Sequence, residues 1–313
     1  MRILLACAAA IALCGCPGPS TPRPQLPVRV VVSVFPLAEW TRAVVGSETN
    51  RVSTFLIADR GVDMHSRQPT AGDIARILDC DLFIHVGGVS DGWVRGLFSD
   101  GRTHPGVLDA LSVVGADAKL VPCGKEHAHD EHDGHHHHAD EKDEHIWMSL
   151  RLARRITSAI AERIAALDPV RADVYRANAA EYNRRLEAVD SRFAAAFRSL
   201  PRREIVIPDR FPLRYLASDY DIVCHAAFPG CSAESEAGFR TVAFLAQKIR
   251  ELHPPCVFVI EGSRSGIADT AVKASGISGT SVETIDSMQG GGEGLPYPET
   301  MERNLEAILR ALR

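Results

Sequence analysis

The segment PVRADVYRANAAEYNRRLEAVDSRFAAAFRS, residues 169–199, decides the fold of this chain. Apolar side chains recur in it every three to four residues, which predicts one apolar face on a helix: Val174, Ala177, Tyr182, Leu186, Val189, Phe193 and Phe197. A helix of about 30 residues is roughly 45 Å long, comparable to a whole small protein. Pro169 separates it from a first helix that ends near residue 167, and Asp168 is placed to cap it. A coiled coil is the alternative, but the apolar stripe is short, so we expect one long, stiff linking helix.

Short β-branched segments alternate with amphipathic segments on both sides of this helical region. Before it, strands are expected at 28–34, 52–57, 81–86 and 119–122, with helices at 37–45 and 71–78. After it, strands are expected at 204–207, 222–225, 256–260 and 281–285, with helices at 239–252, 267–275 and 301–312. Thr70 and Asp73 form a plausible capping pair for the second helix. This alternation predicts the α/β class, with two Rossmann-like lobes of parallel sheet joined by one long rigid helix.

The first 27 residues carry the signals of an exported, anchored protein. Residues 1–15 contain Arg2 and an apolar run of about 14 residues, too short to span a bilayer and typical of a signal peptide. The sequence Leu-Cys-Gly-Cys that ends at Cys16 fits a lipobox, so lipid attachment at Cys16 is expected, with an ordinary secretory signal as the alternative. Five prolines within residues 16–27 predict an extended tether that could hold the body about 30 Å from a membrane.

The rest of the chain divides into three parts. We expect an N-terminal lobe over residues 28–146, with a His-rich loop at 125–145, a helical region over 147–200, and a C-terminal lobe over 201–313. The formal net charge of −5 gives no basic patch, so nucleic acid is not an expected partner, and we expect a monomer. Five cysteines follow Cys16, an odd number, so at least one is free or pairs between chains; Cys224 and Cys231 are close enough for a local disulfide.

Residues 127–145 read HAHDEHDGHHHHADEKDEH and hold eight of the thirteen histidines of the chain. Imidazole is a common ligand for borderline metals, and neighbouring carboxylates add charge attraction. So polar a run cannot bury a core, which predicts a solvated loop with metal handling as its function. A low-complexity surface loop without a metal role is the alternative. Seven of these residues are assigned to an auxiliary metal loop: His127, His129, His132, His135, His136, His137 and His138.

Four residues outside the auxiliary loop are candidates for one fixed metal site. His65 precedes the helix that Thr70 opens, and His145 precedes the helical region. Asp209 and Asp286 each follow a predicted strand of the second half. Loops at the carboxyl ends of parallel strands line the ligand crevice of α/β sheets, which would bring such residues together. Taken singly, each has an ordinary interpretation, since an Asp after a strand is usually a turn residue and a loop His is usually solvated.

The motifs around these residues resemble a known family. Residues 63–70, Asp-Met-His-Ser-Arg-Gln-Pro-Thr, resemble the Asp-Pro-His-Ser-x-x-Pro-Thr motif of the zinc/manganese-binding solute-binding lipoproteins that serve ABC transporters. Residues 144–147, Glu-His-Ile-Trp, resemble the Asp-Pro-His-x-Trp motif of the same family. Residues 34–37 resemble its opening strand-to-helix segment, and residues 285–286 resemble its late strand and ligand Asp. The His-rich loop is also a feature of its zinc-handling members.

The resemblance implies the ligand set. His65, His145 and Asp286 match metal-binding positions of the family, and Asp63 could orient a ligand His. The remaining ligand is where the sequence departs, because the family usually has His or Glu after the first strand of the second lobe. Asp209 is the best match at that position. The alternatives are a water molecule or one of Glu234, His225 and Cys231, whereas His85, His104 and His253 are interpreted as structural or surface residues.

The resemblance also implies the function. The protein is expected to capture Zn²⁺ in the cleft between the lobes and deliver it to an ABC transporter permease and its ATPase, from an extracytoplasmic position on a lipid anchor. The alternatives are a manganese-binding homologue, since Mn²⁺ accepts more oxygen donors, and a surface zinc buffer or adhesin without a transport role. An enzyme is not expected, because no His-Glu-x-x-His helix or comparable catalytic pattern occurs in the sequence.

Overall fold

The computed structural model describes residues 27–57, 65, 68–98, 106–121, 141–230, 238–289 and 294–313. Several sequence-based predictions lie outside these residues: the signal peptide, nearly all of the tether, Cys16, and the seven histidines of the auxiliary loop. Asp63, His104, Cys231 and Glu234 also lie outside them.

The N-terminal half is a parallel sheet with helices between its strands. Its elements are β1 (Val28–Val32), α1 (Phe35–Val45), β2 (Val52–Leu56), α2 (Ala71–Leu78), β3 (Leu82–His85), α3 (Val94–Leu97), β4 (Gly106–Asp109) and α4 (Ala110–Val114). The strand order is β2-β1-β3-β4, with every neighbouring pair parallel. The capping box of Thr70 and Asp73 is confirmed, because the side chain of each accepts from the backbone N–H of the other.

The predicted strand at 119–122 is wrong. Within the described residues of that segment, Leu120 forms only an isolated antiparallel bridge with Lys142. The fourth strand is instead β4, whose sequence Gly-Val-Leu-Asp pairs with β3 along one edge of the sheet. A four-residue segment that begins with glycine has too little β-branched character to stand out in the sequence.

Two long antiparallel helices connect the halves. They are α5 (Leu150–Leu167) and α6 (Ala172–Arg198), with a 3₁₀ turn at Pro169–Arg171 between them. The 27 residues of α6 span roughly 40 Å, which confirms the predicted long helix. It packs against α5, α1 and α10. Asp168 occupies the N-cap position of the 3₁₀ turn, with Pro169 in the first turn as predicted, but its side chain makes no capping hydrogen bond. That carboxylate instead accepts hydrogen bonds from Arg51 Nε at 2.7 Å, from Arg51 Nη2 at 2.6 Å and from Tyr175 Oη at 2.7 Å.

The C-terminal half also alternates strands and helices. Its elements are β5 (Glu204–Ile207), α7 (Arg214–Asp219), β6 (Val223–Ala226), α8 (Phe239–Leu252), β7 (Cys256–Ile260), α9 (Gly266–Ser275), β8 (Ser281–Ile285) and α10 (Tyr297–Leu312). Strands β5 and β6 pair in parallel, as do β7 and β8, and β5 lies beside β7. The α/β class with parallel sheets and one long helix is therefore confirmed.

One hydrophobic core runs through both halves. It includes the fully buried Trp40 of α1, Tyr175 of α6, Tyr215 of α7 and Tyr297 of α10. In the described part of the chain, no helix is both long and apolar enough to cross a bilayer. Among the described residues, Cys80, Cys224 and Cys256 form no disulfide with one another. A disulfide between Cys224 and Cys231 stays a prediction, because Cys231 lies outside the described residues.

Candidate metal site

His65 and His145 meet at the edge of the N-terminal sheet. His65 lies before α2, and His145 immediately precedes the 3₁₀ turn Ile146–Met148 that leads into α5. Their Nε2 atoms are 3.2 Å apart, and the two rings are tilted by 54°. The side chain of His145 is 4% exposed and that of His65 is 20% exposed, so one imidazole is enclosed and the other borders solvent. The structure thus brings two predicted ligands from distant sequence positions to one point.

Asp143 fixes the orientation of His145. Its Oδ1 accepts hydrogen bonds from His145 Nδ1 at 2.8 Å and from the His145 backbone N–H at 2.9 Å. Arg214 Nε, from the C-terminal half, donates to the other oxygen of Asp143 at 3.1 Å. Burial alone would raise the pKa of Asp143, but the hydrogen bonds from His145 and the charge of Arg214 hold it below its usual value. An ionised carboxylate can only accept, so Nδ1 of His145 carries the proton and Nε2 presents its lone pair.

Ser90 and Glu144 surround the other nitrogen of His65. His65 Nδ1 lies 2.8 Å from Ser90 Oγ and 3.5 Å from Glu144 Oε2. The backbone N–H of Ser90 donates to Glu144 Oε1 at 2.7 Å. Burial raises the pKa of Glu144, an effect that the hydrogen bonds from Ser90 partly offset. Each imidazole therefore has a carboxylate on its Nδ1 side, and both Nε2 atoms face the same point.

Asp286 is the predicted ligand that follows β8. It is 1% exposed. Its Oδ1 accepts from the backbone N–H of Met288 at 2.8 Å, and its Oδ2 accepts from Arg303 Nη2 at 2.9 Å. Asn304 also bonds the Asp286 backbone N–H and carbonyl, at 3.1 and 2.8 Å. These contacts hold the carboxylate in one place.

Asp209 connects two strands of the C-terminal half. Its Oδ2 accepts from the backbone N–H of Ile260, at the end of β7, at 2.8 Å. Its Oδ1 accepts from the backbone N–H of Arg210 at 2.7 Å. Across the described residues, no three His, Cys, Asp or Glu side chains lie close enough together to hold a metal ion. The structure therefore brings the two histidines together but not the two aspartates, and the ligand roles of all four residues stay predictions.

The other described histidines have local partners. His225, an alternative third ligand, lies on β6 with its Nε2 2.9 Å from Glu204 Oε2. His85 is buried, stacks on the ring of Phe83, and places Nδ1 3.3 Å from Asp91 Oδ2. His253 ends α8 with a left-handed backbone at a φ of 45°. Their contacts are of the kind expected for structural residues.

Contacts between the two halves are the features that the sequence did not indicate. Trp147 Nε1, two residues after His145, donates to the carbonyl of Ser287, the residue after Asp286, at 2.7 Å. Glu261 holds Ser287 in turn, accepting from its backbone N–H at 2.6 Å and from its hydroxyl at 2.7 Å. No local pattern could have indicated these pairs, because Trp147 and Ser287 are 140 positions apart. They connect the loop of Asp286 to the segment of His145.

The chain is similar in sequence to known zinc-binding and zinc-uptake proteins. The family model described as ZnuA, zinc-uptake complex component A, periplasmic, matches residues 30–311. The zinc-binding lipoprotein AdcA of Streptococcus pneumoniae is 26% identical over 314 residues, covering 98% of this chain and 60% of that protein. The high-affinity zinc uptake system protein ZnuA of Bacillus subtilis is 27% identical over 288 residues, covering 91% of this chain and 88% of that protein.

Solved structures show the same fold. A mutant of the laminin-binding adhesin Lmb of Streptococcus agalactiae superposes with a TM-score of 0.76 at 23% identity, covering 91% of this chain and 99% of that one. The Zn(II)-bound AdcA of Streptococcus pneumoniae superposes with a TM-score of 0.72 at 22% identity, covering 91% of this chain and 58% of that one. This chain thus spans only about 60% of the length of the AdcA proteins that it matches.

Proposed function

We propose that this chain, which belongs to the ZnuA family of zinc-uptake components, captures Zn²⁺ between its two halves and delivers it to an ABC transporter permease. The binding cleft lies between the lobe of residues 28–146 and the lobe of residues 201–313. Its protein ligands are His65, His145 and Asp286, with Asp209 as the candidate for a fourth. The anchor is a lipid on Cys16, which holds the protein on the outer side of the cell membrane. The relatives named above as zinc-binding and zinc-uptake proteins support the choice of cargo.

The observation that carries this proposal is the spacing of the two imidazoles. Zinc binds imidazole nitrogen at about 2.0–2.1 Å in tetrahedral geometry, which places two such nitrogens about 3.3–3.4 Å apart. The Nε2 atoms of His65 and His145 are 3.2 Å apart. Two lone pairs at that distance repel each other unless a cation or a proton lies between them. The pair is therefore preorganised for a cation that takes nitrogen ligands.

Carboxylates from the C-terminal half would complete the coordination. Asp286 is the stronger candidate, because the Trp147–Ser287 hydrogen bond connects its loop to the segment of His145. One carboxylate and two neutral imidazoles suit Zn²⁺ and leave one position for a further ligand. Completing the site in this way requires the loop of Asp286 to move toward the histidines. The long helix α6 and the continuous core keep that motion small, so release relies on loop shifts when the permease docks.

The auxiliary loop acts as a weak collector of zinc. Its seven histidines bind zinc transiently and raise the local concentration of the ion beside the fixed site, as tethered weak sites do. Deletion of residues 127–138 is therefore expected to leave the affinity of the fixed site unchanged and to slow growth and zinc transfer when zinc is scarce. Unchanged growth and unchanged transfer would contradict the collector role while leaving the fixed site intact.

Calorimetric zinc titration tests the fixed site. Wild-type protein is expected to show one tight site, and His65→Ala and His145→Ala are each expected to abolish it. His136→Ala is the matched control, because it removes an imidazole from the auxiliary loop and should leave the tight site unchanged. A tight site that survives both His65→Ala and His145→Ala would overturn the proposal. Delivery is tested separately, by zinc uptake in cells that carry the same variants.

A further inference from the structure

Glu144 is a buried carboxylate to which the proposed function assigns no role. The residue is 5% exposed, next to His145 in sequence, and its carboxyl group lies beside His65. Its Oε1 accepts the backbone N–H of Ser90, but its Oε2 is buried without a donor in hydrogen-bond geometry among the described residues. Burying a carboxylate oxygen without a partner costs free energy, so a group in this position needs an explanation.

The loop at Gly88 is shaped to hold this side chain. Gly88 has a φ of +81°, a conformation that side-chain-bearing residues rarely adopt. A Cβ at this position would lie 2.3 Å from Glu144 Oε1 and 2.7 Å from its Cγ. Two residues later, Ser90 supplies both the N–H that holds Oε1 and the hydroxyl at His65 Nδ1. The backbone thus forms a cradle that places Oε2 on the Nδ1 side of His65.

The geometry excludes direct coordination of the same ion by Glu144. His65 offers Nε2 to His145, whereas Glu144 Oε2 lies 3.5 Å from Nδ1, on the other side of the imidazole. Glu144 can therefore act on the cation only through His65. Among the described residues, His65 is the one basic side chain within 4 Å of the Glu144 carboxylate. The negative charge of Asp143, in contrast, is compensated by Arg214.

We propose that Glu144 is a positioning residue for zinc capture. Its negative charge, 3.5 Å from Nδ1 and beside the Ser90 hydroxyl that contacts Nδ1, favours the proton of His65 on Nδ1 and so keeps the Nε2 lone pair directed at the ion. The inference rests on the proposed function, since it assigns Glu144 a part in the same site. Consecutive carboxylates then do the same for the two ligands: Asp143 orients His145, and Glu144 with Ser90 orients His65. Removal of such a carboxylate from behind a ligand histidine typically costs 10–100-fold in metal affinity.

The variant Glu144→Gln tests the inference directly. Because the backbone N–H of Ser90 requires an acceptor, the amide oxygen takes the place of Oε1 and the amide NH₂ faces His65 Nδ1. A donor at that position moves the proton of His65 to Nε2, where it opposes zinc. The tautomer is read by long-range ¹H–¹⁵N correlation in zinc-free protein that also carries His145→Ala, because the lone pair of His145 Nε2 would otherwise draw the proton of His65 to the facing Nε2. In that protein, Glu144→Gln is expected to move the proton of His65 from Nδ1 to Nε2. With both histidines present, Glu144→Gln is expected to raise the dissociation constant for zinc 10–100-fold.

Two further variants give the experiment its controls. Glu141→Gln changes a nearby acid of the same segment and should alter neither the tautomer nor the affinity. Glu144→Asp keeps a group that can only accept, so the proton should stay on Nδ1 and the affinity should lie closer to wild type than that of Glu144→Gln. Glu144→Asp also tests the inference if Glu144→Gln does not fold. A His65 proton on Nε2 in the zinc-free protein that carries Glu144→Asp and His145→Ala would overturn it.

The outcomes separate this inference from the proposed function. The role of Glu144 is overturned if Glu144→Gln folds, keeps the proton of His65 on Nδ1 and binds zinc with an affinity within threefold of wild type. Wild-type protein that binds no zinc overturns the proposed function, while the His65 tautomer in the zinc-free His145→Ala protein still reports on the positioning by Glu144.

Discussion

The substitution Asp143→Asn tests how much of the zinc affinity depends on the orientation of His145. Oδ1 of Asp143 accepts two donors from His145, and Oδ2 accepts Arg214 Nε. An asparagine cannot accept on both sides. Its oxygen will face His145, where two donors need it, and its NH₂ will then face the Arg214 guanidinium 3.1 Å away. The variant keeps the shape of the side chain and loses the charge and one hydrogen bond.

The expected changes in the free energy of unfolding and in zinc affinity follow from those losses. The lost charged hydrogen bond to Arg214, with a donor now facing a donor, should lower the free energy of unfolding by about 1.5–3 kcal/mol. The loss of the carboxylate behind His145 Nδ1 should raise the dissociation constant for zinc by about 10–100-fold. That change corresponds to about 1.4–2.7 kcal/mol of binding free energy. Competition with a chromophoric chelator measures the affinity, and urea unfolding of the zinc-free protein measures the stability.

A matched control is available on the protein surface. Asp117 pairs with Arg155 at 2.6 Å, but its side chain is 67% exposed. An exposed ion pair contributes little, so Asp117→Asn should change the unfolding free energy by less than about 1 kcal/mol and leave zinc binding unchanged. A folded Asp143→Asn protein whose zinc affinity stays within threefold of wild type would show that Asp143 does not orient His145 for zinc.

Three more predictions follow from other contacts. The Arg51 hydrogen bonds hold the pKa of Asp168 below its usual value, so their stabilisation is present above about pH 4 and is lost as the pH falls through the lowered pKa. Asp168→Asn should therefore lower the free energy of unfolding, measured with urea, by about 1.5–3 kcal/mol at pH 7 and by less at pH 2. Trp147→Phe leaves the buried Ser287 carbonyl without its hydrogen-bond donor, so it should lower the free energy of unfolding by about 1–3 kcal/mol. It should also weaken zinc binding. An unchanged zinc affinity would mean that this hydrogen bond does not couple the two halves. Zinc affinity should fall with decreasing pH, by at most about 100-fold per pH unit, because each of two imidazoles takes up a proton on release; calorimetry in buffers of different ionisation enthalpy counts those protons.

The sequence was sufficient to predict the elements whose signals are local and long. The apolar stripe of α6 extends over many turns, and the capping pair of Thr70 and Asp73 needs only four residues, so both are confirmed. The strand β4 was missed because four residues at a sheet edge carry little pattern. The side chain of Asp168 does not cap the helix, because Arg51, more than a hundred positions away, offers that carboxylate a stronger partner.

The same contrast applies to the candidate site. Two histidines in different segments could be paired from their motifs, and the structure places their Nε2 atoms 3.2 Å apart. What could not be predicted is how each ring is held. In the sequence, Glu144 is one more acid in a polar run, although the fold buries it behind His65. Arg214 gave no signal at all, because its role depends on the packing of the C-terminal half against Asp143.

In the proposed site, one Zn²⁺ ion is held between the imidazoles of His65 and His145. The most direct measurement is an anomalous difference map at the zinc absorption edge, from crystals of the protein purified without chelator and supplied with one equivalent of zinc. One dominant peak is expected about 2.0–2.1 Å from Nε2 of both His65 and His145, with Asp286 as an oxygen ligand. A dominant peak that is bound by neither imidazole, or that is bound through Nδ1, would contradict it.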